Sequence, residues 1–214
     1  GLSGDPQNFN PDSGSDDYAL PANSNIFNSL VSMTMDMDII SDLARSWEFS
    51  EDGTEITFHL AENVKWHDGE PFTSADVKWT FDTIKEQKGV ASNNLVSIEE
   101  ITCPDDNTMV MKLAYPDSGI LGFLAWYGIF IMPKHIYEGT DWLTNPANMQ
   151  PVGTGPFKFE SFTSGVAVTL VKNEDYWGEG PYLDKVVFQI IPDKETEYQA
   201  WQNGEIDIMA NFIP

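Results

Sequence analysis

Asp and Glu supply 34 of the 214 residues, against 11 Lys and Arg, three His and one Cys. At that density carboxylates fall beside one another by chance. A pair of them is therefore no mark of glycoside hydrolysis, which needs two acids held at a set separation. His59, His67 and His135 are far apart, with no His-x-x-x-His pattern and no Cys partner, so no zinc site is expected. His67 falls in a turn and is expected to be solvated. Cys103 has no partner for an internal disulfide and no base beside it, and reads as a packed strand residue. There is no Gly-x-Ser-x-Gly elbow and no phosphate-binding Gly-rich loop; Pro156 and the alternation after Gly153-Thr154-Gly155 indicate strand rather than a helix start. Asp12 to Asp17 lacks the spacing of a calcium loop. These residues predict no catalytic group, no metal and no cofactor, hence no enzyme.

The formal net charge is −23. Phosphate neutralisation needs clustered Lys and Arg, so nucleic acid is excluded as a partner and anionic lipid is disfavoured. Acidity of this kind fits solubility in an extracellular or periplasmic milieu. With 41% hydrophobic and 13% aromatic residues there is apolar material for one or two cores. No apolar run reaches the ~18 residues that suggest a membrane span. Leu121 to Met132, interrupted by Gly122 and Gly128 and closed by Pro133, reads as buried helix or loop. The sequence starts at Gly1 without the charged and apolar stretch of a secretory signal.

The elements that would position any site follow from local pattern. After a turn at Ser50-Glu51-Asp52-Gly53, Ile56, Phe58 and Leu60 alternate with polar residues as in a half-buried strand. Val64 and Trp66 are expected to restart it around an Asp68-Gly69 turn, giving a small antiparallel unit. Thr73 and Asp76 have capping-box spacing. They predict a helix burying Val77, Phe81 and Ile84 and stopping at Gly89. Met109, Met111 and Leu113 form a further strand. Phe157 and Phe159 pair with Val166, Val168 and Leu170 around Thr163-Ser164-Gly165, and Val186, Phe188 and Ile190 alternate again. Asp193 caps a helix anchored by Tyr198 and Trp201 and ended by Gly204, with a strand from Ile206 to Met209. The Ser- and Asn-rich stretch before Ile26 is expected to be loop.

Order and spacing carry a resemblance. Leu43, Ala44, Ser46, Trp47, Ser50, Asp52 and Gly53, then Phe58 and Leu60, then Trp66, Asp68, Gly69, Pro71, Thr73, Asp76 and Val77 are similar to a signature of extracellular solute-binding proteins of peptide and nickel ABC transporters (family 5). Ser74 stands where Ala is usual. Asp5-Pro6 and Asn10-Pro11, Pro151 to Phe157, Asn173 to Trp177, Pro181 to Asp184 and Gly204 to Asp207 resemble further segments of that family.

The resemblance implies an α/β, periplasmic-binding-protein-like class II fold, with residues 1–46 and 152–214 in a discontinuous lobe I and 47–151 in an inserted lobe II. The family's third lobe follows Gly204 to Asp207, so the chain reads as a fragment without that lobe, expected to bind peptides poorly by itself. The implied function is capture of di- or oligopeptides outside the membrane for delivery to permease subunits. Nickel complexes, oligosaccharides and opines are the alternatives within the family, and a non-transport interaction or signalling module is the alternative outside it. Implied ligand contacts are Asp17, Tyr18, Asn93, Asn94, Trp126 and Tyr127, and implied hinge residues are Trp47, Val152, Gly153 and Gly155. The implied protein is a monomer, extracellular or periplasmic, with a lipid as its only membrane attachment.

Overall fold

The computed structural model describes residues 1–12, 16–88, 90–125 and 129–209. Ahead of Ile26 the chain is not loop throughout. Pro21 fits the first turn of helix α1 (Leu20–Ile26), and Ala22, Asn23 and Ile26 form its buried face. The polar residues that suggested a loop are absorbed by the helix, since Ser24 Oγ donates to Leu20 O (2.9 Å) and Asn25 Nδ2 to Pro21 O (2.8 Å). Strands β1 (Val31–Met33) and β2 (Ile39–Ser41) then form a short antiparallel hairpin.

Strand β3 (Ala44–Phe49) pairs antiparallel with β4 (Glu55–Leu60) across the expected turn, where Gly53 takes φ +70° and Ser50 N donates to Glu55 O (2.9 Å). Ile56, Phe58 and Leu60 are all buried, as the alternation requires. The strand expected at Val64 and Trp66 is instead a loop closed on itself: Trp66 N donates to Glu70 O (2.8 Å) and Phe72 N to Val64 O (3.0 Å). The neighbours of β4 are β3 and a later strand, so its edges are already taken.

Thr73 and Asp76 complete a capping box at the start of α2 (Ser74–Gln87), with Thr73 N donating to Asp76 Oδ2 (2.9 Å). Lys88 ends that helix in the left-handed region at φ +52°, and the stop expected at Gly89 lies outside the described residues. Strands β5 (Ile98–Asp105) and β6 (Thr108–Leu113) finish a four-stranded sheet of order β3-β4-β6-β5, with α2 packed against β5 and β6. Cys103 is a half-buried strand residue in contact with this core. The apolar run from Leu121 begins inside α3 (Ile120–Ala125), and α4 (Lys134–Tyr137) follows Pro133.

Strands β7 (Phe157–Thr163), β8 (Ala167–Lys172) and β9 (Lys185–Gln189) form a three-stranded antiparallel sheet in that order, with Gly165 at φ +69° in the first turn. Asp193 Oδ1 accepts from Thr196 N (2.8 Å) at the start of α5 (Lys194–Gln202). The anchors of that helix differ from expectation: Trp201 is 46% exposed, and Glu197 and Ala200 are the buried positions. Residues 206–209 are irregular rather than strand, because Glu205 N turns back to Ala200 O (2.8 Å).

Two apolar cores result. The first holds Leu30, Val31, Leu43 and Ala44 with residues of β4, α2, β5, β6 and α3 as far as Ile131. The second holds Leu2, Phe9, Ile26 and Phe27 with Met132, Tyr137, Trp142, Phe157, Val168 and Leu170. Packing therefore changes core between Phe27 and Leu30, between Ile131 and Met132, and between Val152 and Phe157. Leu30 to Ala44 packs with the first core, and Met132 to Trp142 with the second.

Candidate functional site

The core crossings lie side by side. Ile131 N donates to Asn28 O (2.9 Å), Gly155 N to Ile26 O (2.8 Å), and Thr154 Oγ1 to Asn28 Oδ1 (3.0 Å). The glycines of this segment serve close approach rather than positive φ. A Cβ on Gly153 would stand 1.9 Å from Ile26 O, and one on Gly155 would stand 2.5 Å from Asn25 O.

A cavity of about 440 Å3 opens at the crossings. Its apolar wall includes Leu20, Phe27, Ile40 and Phe130, and its polar wall includes Asn28, Asp42 and Tyr176 beside the hydroxyls of Ser24, Ser29, Ser32 and Ser41. Asp42 accepts from Asn28 Nδ2 (2.8 Å) and Ser29 N (2.9 Å). Burial outweighs those bonds and the nearby Arg45, pushing its carboxyl up to about 6. Burial also raises the Tyr176 phenol, against a hydrogen bond with Asn28. Arg45 lies over the ring of Trp177, its Cζ 4.6 Å from the centroid, and Trp177 Nε1 donates to Thr154 O (3.0 Å). The result is a fixed polar wall whose members hold one another in place. It can offer amide, hydroxyl and carboxyl groups to a ligand beside an apolar wall, the usual make-up of a small-molecule site.

A second, larger groove, of about 670 Å3, is lined by His67 and Asp68, by Val152 and by residues 158–162 of β7. His67 is half-buried and hydrogen-bonded rather than freely solvated. Its Nδ1 accepts from Gly153 N (3.2 Å), its Nε2 donates to Gly155 O (2.9 Å), and burial brings the imidazole down to about 4.

Of the residues expected at a ligand, Asp17 is exposed and Tyr18 is 41% exposed, its ring packed over Gly4. Asn93 and Asn94 lie on a 3-10 turn after α2, whose Ala91 N donates to Asp12 Oδ1 (3.2 Å). None of these four lines the cavity. Trp126 and Tyr127 lie outside the described residues, although Ala125 and Phe130 on either side do line it. Among the expected hinge residues, Val152, Gly153 and Gly155 lie at a core crossing. Trp47 stands inside β3 opposite Phe58, where the ladder holds its backbone.

Sequence reasoning missed Asn28 and Asp42 and took Tyr176 only as a motif letter. No spacing rule links them: Thr154 is 126 residues from Asn28. The available signal was an acidic residue immediately before the apolar pair Leu43-Ala44. Among the described residues no group of three or more His, Cys, Asp or Glu is placed to hold a metal ion, and no helix is long and apolar enough to cross a membrane.

Comparison with known proteins gives a consistent picture. The family model described as bacterial extracellular solute-binding proteins, family 5 middle, matches residues 38–214. A Brucella ovis protein that carries the name ABC transporter peptide-binding protein is 38% identical over 175 residues, covering 79% of this chain and 33% of the relative. The dipeptide-binding protein of Escherichia coli is 30% identical over 231 residues, covering 96% of this chain and 43% of the relative. The crystal structure of NikZ from Campylobacter jejuni in complex with Ni(L-His) superposes with a TM-score of 0.87 at 27% identity, over 96% of this chain and 41% of NikZ. The chain thus spans between 33% and 43% of the length of these proteins.

Proposed function

The chain belongs to the bacterial extracellular solute-binding proteins of family 5, and from that membership we propose that it is part of the peptide-capturing component of an ABC importer, which hands its ligand to permease subunits. The observation that carries this reading is the cavity at the core crossings, walled by Phe27 and Phe130 on one side and by Asn28, Asp42 and Tyr176 on the other. A peptide has amides that need partners and side chains of varied polarity, and a mixed wall of hydrogen-bonding groups and aromatic rings suits both. The names of the Brucella and Escherichia relatives support the peptide class.

In this reading the two cores are the centres of two lobes, and a ligand held between them favours a closed arrangement over an open one. The protein works as a monomer outside the membrane, as a periplasmic or lipid-anchored surface protein. The family is a solute-binding one rather than an enzyme family. A metal complex is the second reading, favoured by the likeness to NikZ with its Ni(L-His).

The test is capture by the protein encoded by the complete reading frame. Incubated with an equimolar mixture of di- to pentapeptides and nickel-histidine, then desalted and analysed by native mass spectrometry, it is expected to retain peptide masses. Retention of the nickel complex alone would replace the peptide reading with the second one, and retention of neither would remove both.

A further inference from the structure

The ring of His67 reaches the crossing segment with both nitrogens. Because a carbonyl can only accept, Nε2 must carry the proton toward Gly155 O (2.9 Å), which leaves Nδ1 to accept from Gly153 N (3.2 Å). The backbone joins in: His67 N donates to Gly153 O (2.9 Å), and Lys158 Nζ donates to His67 O (3.1 Å). His67 belongs to the loop between Trp66 and Phe72 of the first core, whereas Gly155 N is held by Ile26 O of the second. One neutral tautomer of one side chain therefore ties the segment that passes between the cores.

We propose that His67 is a positioning residue of the binding protein, a latch that fixes the crossing segment Gly153-Thr154-Gly155 while its imidazole is neutral and releases that segment when Nδ1 gains a proton. A protonated Nδ1 would point its own N–H at the Gly153 N–H. Two donors then face each other in a half-buried site, and one must turn away.

Charged groups act on the ring from each side. Burial is the largest influence and disfavours the charged ring, Lys158 disfavours it further, and Asp68 favours it. Asp68 is itself engaged by His135 Nε2 (2.8 Å). Glu160 lines the same groove but forms its ion pair with Lys185 (2.8 Å). On the far side Gly155 O also accepts from Asn173 Nδ2 (3.1 Å), which does not titrate. The sign follows from these directions. The folded-state value near 4 lies below the ordinary 6.5, so the unfolded or released ring binds the proton first. The latch is complete above about pH 6.5 and is lost as pH falls through about 4.

The latch's part in lobe closure rests on the two-lobe reading above. Its chemistry is tested without ligand, so failure of the latch and failure of the binding reading give different results. Nitrogen and carbon NMR of the His67 ring should show the Nε2–H tautomer at pH 7 and a midpoint well below 6. Exchange of the Gly153 amide, corrected for intrinsic rate, should lose about a hundredfold of protection between pH 7 and pH 4. His67→Asn places an acceptor where Nδ1 stands and does not titrate, so its Gly153 protection should not vary with pH. His59→Asn, at an exposed position of β4, serves as a control that leaves the wild-type profile in place. A His67 midpoint near 6.5 with mixed tautomers overturns the proposal, as does a pH profile in His67→Asn that matches the wild type.

Discussion

Gly153 and Gly155 show how much a single residue's job depends on what lies across from it. Neither has positive φ, and both are glycine because the backbone of α1's last turn occupies the space a Cβ would need. Gly155→Ala is therefore expected to destabilise by about 3 kcal/mol, since backbone on both sides must shift, with Gly153→Ala worse still. Urea unfolding at pH 7 measures it, and a loss below about 1 kcal/mol would show that the crossing can relax. The same glycines in the sequence invite a reading as permissive joints. That reading missed the reason for them, because Ile26 is more than a hundred residues away and nothing local marks the approach. His67 was misread for the same cause: an exposed-looking turn residue acquires its partners only when 153–155 folds back onto it.

Elements were far more legible than contacts. Alternation at Ile56, Phe58 and Leu60, at Met109, Met111 and Leu113, and at Val168 and Leu170 is local information, and each set is buried in a strand. The misses have a local logic as well. Ser24 and Asn25 favour loops because their side chains compete for backbone groups, but here they bond back to the carbonyls four residues before them while Ile26 is buried. The start of α2 was readable because a capping box is a spacing rule. Asp76 does more than the rule requires, accepting from Lys134 N (3.1 Å) as well as from Thr73 N. Removing the two groups should therefore differ in effect. Thr73→Ala is expected to cost about 1 kcal/mol, the usual loss of a cap, whereas Asp76→Ala strands donors from two segments and should cost about 2 to 3 kcal/mol. Thermal denaturation of both variants decides this, and equal losses would mean that the bond to Lys134 contributes nothing.

At the scale of the molecule, composition was a sound guide to the presence of apolar cores and is silent on where the chain passes between them. The chain leaves and re-enters each core at Asn28, Ile131 and the 152–155 segment, and those crossings are visible only as long-range hydrogen bonds. Charge is the global property that remains fully readable, and it makes a prediction of its own. Ion pairs such as Lys78–Asp82, Lys112–Glu99 and Lys185–Glu160 are largely exposed, so each contributes little and weakens with salt. Against them stands the mutual repulsion of a chain with net charge −23, acting over a Debye length of about 30 Å at 0.01 M salt and about 8 Å at 0.15 M. Repulsion should outweigh the few pairs, so screening should stabilise the fold. Raising sodium chloride from 0.01 to 0.15 M at pH 7.5 is therefore expected to lift Tm by roughly 3 to 6 °C, corresponding to about 1 to 2 kcal/mol for a chain of this size. Replacing sodium chloride with potassium chloride should give the same rise if screening is the cause. A Tm that falls with either salt would mean that the surface pairs, not the excess carboxylates, set the electrostatic balance.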